Sequence, residues 1–458
     1  MDLLPDSALP FQAKGPTPDR HRVGTLRFVG GSVRRRGKGY CPAVLRFLGS
    51  LDPRLPRSVQ TLQVGGLVSA FGNGMLIPFL LIYLHNVRGI GLGAAGLVVG
   101  TNALVSVVAG PVAGSLVDRH GGRRVLAGSL VILAVGYGSF ALVHAPWQGF
   151  VAATVTGLGN GFFWPAQSTM LAALSPPDRR HATFAMQRVM MNLGIGIGAL
   201  VGGLIADTAR PGTFLALFAL DAVTFVVYLG VVLIAVPDVR ATSKEQSAGA
   251  GTYRDVLRHR VFVAFVGLNA LFVFAGMSGF ELLPVFAKNE VGVAEDAIGV
   301  IFFVNTVVIV LAQLPIARLA EGHRRMRMLA LLGVLWSGCW IAVSIVGGTT
   351  DGVHAAVLLA VVMAVFGLGE CIHGTVQAPL VSDLAEPRLL GRYMALSALS
   401  WQVGFAAGPA IGAFLLSVNP IGTWLVWAVL CALGAVLSVV LEPSIPRAIR
   451  RTPVAQAV

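Results

Sequence analysis

From residue 59 onward the chain alternates long apolar runs with short polar breaks. The runs lie at roughly 59–84, 93–117, 125–144, 148–174, 183–206, 213–236, 261–286, 297–320, 328–347, 353–378, 393–417 and 421–441. Each can cross a bilayer as a helix, which takes about 20 residues. The fifth is interrupted by glycines and the tenth by polar residues, but both keep their length. The pattern predicts twelve spans and an all-α membrane protein.

The breaks differ in charge. With the N-terminus placed in the cytoplasm, the cytoplasmic segments hold 31 of the 34 lysines and arginines. Only Arg88, Arg210 and Lys288 fall on the other side. Retention of basic residues on the cytoplasmic side predicts this asymmetry, and one span more or fewer would scramble it. The reading is therefore a multi-pass protein with both termini cytoplasmic. Loops facing an anionic leaflet also account for the net charge of +13, so no nucleic-acid partner is expected.

Composition agrees. The 458 residues are 55% hydrophobic and 12% charged, about half the charge of a soluble domain. One membrane-embedded body is expected rather than several soluble domains. Ala-, Gly-, Val- and Arg-rich usage points to a bacterial plasma membrane. Cys41, Cys339, Cys371 and Cys431 show no CxxC or metal-like spacing, so they read as small buried hydrophobes. No metal and no cofactor is expected. Residues 1–57, with Arg34-Arg35-Arg36, lack the apolar core of a signal peptide. They read as a basic, disordered cytoplasmic tail or as extra upstream sequence, with lipid binding as the functional alternative.

The chain also repeats itself. A shift of 210 places Gly157-Leu-Gly159 on Gly367-Leu-Gly369, Gln167 on Gln377, Pro177 on Pro387 and Gly194 on Gly404. A shift of 203 places Gly96 on Gly299, Asn102 on Asn305 and Leu116 on Leu319. Residues 58–236 and 261–441 are thus copies in one topology. A cytoplasmic loop at 237–260 joins them, and a tail at 442–458 follows. Two parallel six-helix, pseudo-symmetric bundles around a central cavity are the architecture of many secondary transporters.

Between spans 2 and 3 stands Gly114-x-Leu116-x-Asp118-Arg119-x-Gly121-x-Arg123-Arg124. It resembles the corresponding loop of the major facilitator superfamily, departing only at Gly122, where a basic residue is usual. A decayed copy, Ala317-Arg-Leu319-Ala-Glu321-Gly-His-Arg324-Arg325-Met-Arg327, occupies the matching loop of the second half. The resemblance extends over about residues 59–441. It implies alternating access and a conformational gate made of Gly114, Asp118, Arg119, Gly121, Arg123 and Arg124. In that family the acid contacts the cytoplasmic end of span 11, here near Arg392-Tyr393, when the cytoplasmic side is closed. Gly114 would let helices approach, Gly121 would permit the turn, and the arginines would pair with acids or lipid phosphate. A basic loop without conformational duty is the plain alternative.

The glycines of span 5 (Gly194, Gly198, Gly202, Gly203) are similar to the signature of the family's drug–proton antiporters, with Ala199 in place of its proline. Span 11 keeps Pro409 but ends Gly412-Ala413, and the arginine usual in span 4 is absent from Gly157-Leu-Gly-Asn-Gly161. Small residues four apart also serve helix packing alone.

A charge inside a span costs about 2.5–3.5 kcal/mol at mid-helix on insertion scales and usually marks function. Glu281 lies in span 7 and Glu370 near the middle of span 10, while Asp221 and Arg188 read as nearer span ends. Glu370, His373 and Gln377 share a helix face, and the repeat matches them to Asn160, Phe163 and Gln167, beside Trp164. Spans 1, 4, 7 and 10 line the cavity in the family resembled, so these faces would look at each other. The substrate path is then Asn160, Phe163, Trp164, Gln167, His373 and Gln377, with Asn73, Arg188, Asn192 and Phe280 beside them. Asn192 matches Gln402 in the repeat. Glu281 and Glu370 are the candidate proton carriers, and a hydrogen-bonded structural acid is the alternative for each. One histidine near one cysteine makes no metal site.

The expectation is a monomeric, proton-coupled secondary transporter exporting small amphipathic or hydrophobic molecules. The runner-up is an uptake symporter for a small polar metabolite, which would usually show more polar cavity groups or several buried arginines. Neither His-Glu-x-x-His nor a Walker-type glycine loop occurs, so neither enzyme chemistry nor direct use of ATP is expected. The partners are a small-molecule substrate, protons and the lipid bilayer.

Overall fold

A computed structural model of the chain describes residues 55–176, 179–237, 253–386 and 389–453, apart from the His181 side chain. The tail read at 1–57 and the loop read at 237–260 therefore lie largely outside the described residues. Those described form helices and turns, with two isolated β-bridges.

Among the described residues, eleven helices are long and apolar enough to cross a membrane. They are span 1 (Arg57–Val87), span 2 (Leu92–His120), span 3 (Gly122–Leu142), span 5 (Arg180–Ile205), span 6 (Gly212–Ala235), span 7 (Arg260–Asn289), span 8 (Glu295–Leu319), span 9 (Arg325–Thr349), span 10 (Gly352–Leu384), span 11 (Leu390–Val418) and span 12 (Pro420–Leu441). Span 4, Pro146–Leu174, is 29 residues long. Its Asn160, Gln167 and glycines make it less apolar than the rest.

The repeat is visible in where helices begin. Arg57 and Arg260, Leu92 and Glu295, and Gly122 and Arg325 are each 203 apart, and Arg180 and Leu390 are 210 apart. Within each half the first helix packs on the fifth, the second on the fourth, and the third on the fourth and sixth. The halves meet through span 2 on span 11 and, reciprocally, span 5 on span 8. Close approach there depends on missing side chains. A Cβ at Gly203 would lie 2.6 Å from the Glu295 carbonyl oxygen, and one at Gly299 would lie 2.6 Å from that of Ala199.

These meetings all belong to one end of the bundle, opposite the end that carries Leu55 and Thr452. At this far end Asn86 donates to Asn289 at 2.6 Å, between residues at matching places in the two halves. Thr208 donates its backbone N–H and its hydroxyl to Glu295 (3.0 and 2.8 Å), whose other oxygen pairs with Lys288 at 2.9 Å. Glu295 sits in the first turn of span 8, where the helix dipole favours an anion.

At the terminal end the loop between spans 2 and 3 makes no tie to the other half among the described residues. The expected close approach at Gly114 is not made, since a Cβ there would meet nothing within 4 Å. Asp118, Arg119 and Arg124 are exposed and have no partner among the described residues. Arg123 departs from the expectation of pairing with an acid or phosphate. It donates to the carbonyls of Val232 (3.1 Å) and Leu233 in the last turn of span 6, groups that helix ends leave free. Gly121, at φ +87°, makes the one-residue turn into span 3. Near Arg392-Tyr393 the end of span 11 engages other groups: Arg392 lies 5.8 Å over the Tyr253 ring of a short helix, Tyr253–Leu257. The Tyr393 hydroxyl and His259 share a 2.9 Å hydrogen bond.

The matching loop between spans 8 and 9 is tied down. Gly322, His323 and Arg325 exchange backbone hydrogen bonds of 2.8–3.0 Å with Arg450 and Thr452. Arg324 and Arg327 hold Glu442, and the buried Arg325 holds Asp383 at 2.6 Å. One reading needs correcting here. Asp221 does not lie near a span end but nine residues into span 6, fully buried.

Candidate functional site

Between the halves, toward the far end, lies a cavity of about 270 Å³ lined by spans 1, 2, 3, 4, 7 and 11. Amides face it from Asn73, Asn102, Asn160 and Gln402, and aromatic rings from Tyr137, Phe140, Trp164 and Phe405. Glu281 is its acid, and no lysine or arginine lines it. One Glu281 carboxylate oxygen is buried without a hydrogen-bond partner, as is the amide oxygen of Asn73. A smaller cavity of about 100 Å³ adjoins it and shares Asn73, Asn160 and Trp164, with Phe163 and Gln167 added.

Local structure explains the placement. A π-helical turn, Val273–Met277, separates Asn269 from Glu281 along span 7 and changes the helical phase between them. Asn269 therefore points into the C-terminal half while Glu281 reaches the cavity. Asn160 donates to Asn102 at 3.2 Å, and Asn102 donates to Thr156 at 2.7 Å. Gln167 donates to the Tyr228 hydroxyl (3.0 Å) and accepts from Gln187 (2.8 Å). Phe163 packs edge-on to Trp164 and Tyr228.

The span 10 residues are placed differently. Neither cavity includes Glu370, His373 or Gln377. Glu370 accepts from Asn305 at 3.2 Å, His373 bonds Asn269 at 2.8 Å, and Gln377 donates to Ser397 at 2.7 Å. Phe280 packs edge-on to Phe302 at 4.3 Å. Arg188 crosses from span 5 to lay its guanidinium against Gly374, where any Cβ would overlap it. It is thereby an electrostatic neighbour of Glu370, Cys371 and His373. Asn192 is half-buried and lines neither cavity, although Met191 and Ile195 beside it line the smaller one. Among the described residues no group of three metal-ligating side chains occurs.

Sequence reasoning passed over Asn102, Tyr137 and Gln402 as cavity residues. Asn102 and Gln402 both carried a signal, since each has a polar match in the repeat. Tyr137 carried none, because its partner position holds Trp340.

The sequence profile of the Major Facilitator Superfamily matches residues 62–290 and 280–457. The chain belongs to the Major Facilitator Superfamily. It is thus a membrane transporter and not an enzyme. In sequence this superfamily member is similar to the multidrug resistance protein MdtH of Aeromonas salmonicida, with 24% identity over 84% of this chain and 96% of the relative. It is also similar to YhjO of Bacillus subtilis, an uncharacterized MFS-type transporter, with 24% identity over 80% of this chain and 88% of the relative. In fold it is similar to a peptide transporter POT solved with sulfate (TM-score 0.70, 16% identity, 86% of this chain and 96% of that one). It is similar likewise to the nucleoside transporter NupG (TM-score 0.66, 14% identity, 84% and 98%).

Proposed function

We propose that this superfamily member is a proton-coupled exporter of small amphipathic or hydrophobic molecules, working by alternating access. The observation that carries the reading is the Glu281 carboxyl, buried and incompletely partnered in a cavity of aromatic rings and amides without a basic group. Such a lining suits apolar molecules bearing a positive charge or a hydrogen-bond donor. A single carboxyl that serves either proton or cargo gives the exchange: arrival of one displaces the other. Relatives named multidrug resistance proteins support the export direction. Glu370, with Asn305 and Arg188 as neighbours, is the second coupling acid in this reading.

The basic residues gathered on the terminal side support a plasma membrane with both termini in the cytoplasm. With its loop between spans 2 and 3 untied, the terminal end is then in the cytoplasm-facing state, and Asp118 is a latch at rest that meets span 11 when this end closes. The second reading is proton-driven uptake, favoured by the fold likeness to peptide and nucleoside transporters.

Cells expressing the protein decide between them with a panel of labelled lipophilic cations, with and without a protonophore. Export lowers accumulation, the protonophore abolishes the effect, and Glu281→Gln abolishes it too. Raised accumulation would establish uptake, and an unchanged proton dependence in Glu281→Gln would move the coupling site elsewhere.

A further inference from the structure

Three basic residues stand at the far end against the charge bias of the chain, and each is held. Arg88 donates to the Tyr83 hydroxyl at 2.7 Å and to the Ala141 carbonyl at 2.9 Å. Arg210 pairs with Asp207 at 2.7 Å, and Lys288 pairs with Glu295 at 2.9 Å. The first two stay within the N-terminal half. The third belongs to a cluster that crosses between the halves, where alternating access makes and breaks contacts.

Glu295 divides its two oxygens. Oε2 takes the Lys288 ammonium of its own half, and Oε1 accepts both the backbone N–H and the hydroxyl of Thr208 from the other half. Each side is held independently of the other. Glu295 is buried in the first turn of span 8, where the helix dipole favours its charge. Thr208 sits in the turn between spans 5 and 6, which its neighbours brace. Asp207 accepts from the Ala209 N–H at 2.9 Å and from Arg210, and its own N–H donates to the Thr213 hydroxyl at 3.0 Å. About one helical turn further in, Gly203 and Gly299 let spans 5 and 8 touch along their backbones. Hydrogen bonds to an ionised group are roughly twice as strong as neutral ones, so two on one oxygen outweigh the neutral Asn86–Asn289 bond at the same end.

The duplicated seam lacks this cluster. Span 2 meets span 11 by the same means, with Gly96 against the Pro409 carbonyl and Ala413. There the repeat places Leu92 where Glu295 stands and Val418 where Thr208 stands. His85, which matches Lys288, bonds the Ile90 carbonyl of its own loop at 2.9 Å. One of two equivalent seams therefore carries a polar fastening, and the other is apolar at the corresponding positions. Packing by small residues brings the helices together in both, so the fastening is an addition to the seam rather than its basis.

We propose that Glu295 is a one-sided lock on the far end: it holds the halves together through Thr208 and leaves with Lys288 when that end opens. Because Lys288 moves with it, opening breaks two hydrogen bonds and strands no unpaired charge, which keeps the lock releasable. The inference rests on the alternating-access part of the proposed function, and on neither its direction nor its proton coupling.

The test measures the separation of spin labels at Leu142→Cys and Val353→Cys, exposed residues at the far ends of spans 3 and 10. Pulsed electron resonance is applied to the full chain in lipid nanodiscs, with the native cysteines replaced by alanine and with no cargo or proton gradient. Thr208→Val gives up one bond and keeps the Glu295–Lys288 pair; it raises the ratio of far-end-open to far-end-closed molecules about tenfold. Glu295→Leu gives up both bonds and raises the ratio about a hundredfold. Adding Thr208→Val to Glu295→Leu raises it no further, because the bond is already gone. A ratio unmoved by Thr208→Val, or a second full shift in the double variant, overturns the lock. Thr208→Val is nearly isosteric, so the test survives even if Glu295→Leu fails to fold. A failed export assay with these shifts intact overturns the export reading alone, and absent shifts beside a working export assay overturn the lock alone.

Discussion

Spans 4 and 10 occupy equivalent places in the two halves, and their hydrogen bonds are copies. Asn160 bonds Asn102 as Glu370 bonds Asn305, and Gln167 bonds Gln187 as Gln377 bonds Ser397. Their burial is copied as well: Asn160 and Glu370 are half-buried, and Phe163, His373, Gln167 and Gln377 are buried. What differs is the lining: Asn160 and Trp164 line both cavities described above, and Glu370, His373 and Gln377 line neither. Span 9 differs in bulk. Trp336 and Trp340, fully buried, stand where the N-terminal half has Leu133 and Tyr137. Trp336 stacks on Phe366 at 4.8 Å and caps Gly369. Duplication preserved the bonding pattern, and two indoles changed what packs behind it.

Four substitutions test that comparison. Trp336→Ala should have the largest effect, about 3–5 kcal/mol of stability for a large buried aromatic, read as a lowered denaturation temperature in detergent. His373→Leu should follow, at about 1–3 kcal/mol, because it strips Asn269 of a buried hydrogen bond. A loss of cargo binding without a stability loss would place His373 on the substrate path, and unchanged cargo affinity would make it a structural residue. Asn160→Ala should do the reverse, weakening binding of a lipophilic cation about tenfold, roughly one hydrogen bond, with the denaturation temperature unmoved. Asp118→Asn should be smallest on stability, within about 0.5 kcal/mol, as expected for an exposed side chain without a partner. Its transport rate in vesicles should nevertheless fall; an unaltered rate removes the latch role.

The spans were legible because lipid demands about 20 apolar residues per crossing. The halves were legible because glycines and amides recur at fixed offsets. Asn160, Trp164 and Glu281 were legible as polar or aromatic groups at membrane depth. What was hidden depended on neighbours. Helical spacing placed Glu370, His373 and Gln377 on one face correctly, but a face says nothing about what stands opposite, and Ser397, Asn269 and Asn305 do. Asp221 was misplaced because distance along a run was mistaken for depth and burial. Arg123 reads as a partner for acids or lipid phosphate, yet it donates to the last carbonyls of span 6.

The two loops make the same point. The motif at 114–124 and its relic at 317–327 read as a strong and a worn copy of one device. In the structure the worn copy is the occupied one, bonded to Glu442, Asp383 and the chain at 450–452, while Asp118 has no partner among the described residues. By itself the sequence determined that the chain crosses repeatedly in membrane-length helices, their doubling and the chemistry each can offer, because those follow from local composition and spacing. Only the tertiary structure decided which polar faces meet space and which meet each other, and which end of the bundle is closed. Those outcomes depend on the volume and phase of side chains hundreds of residues apart.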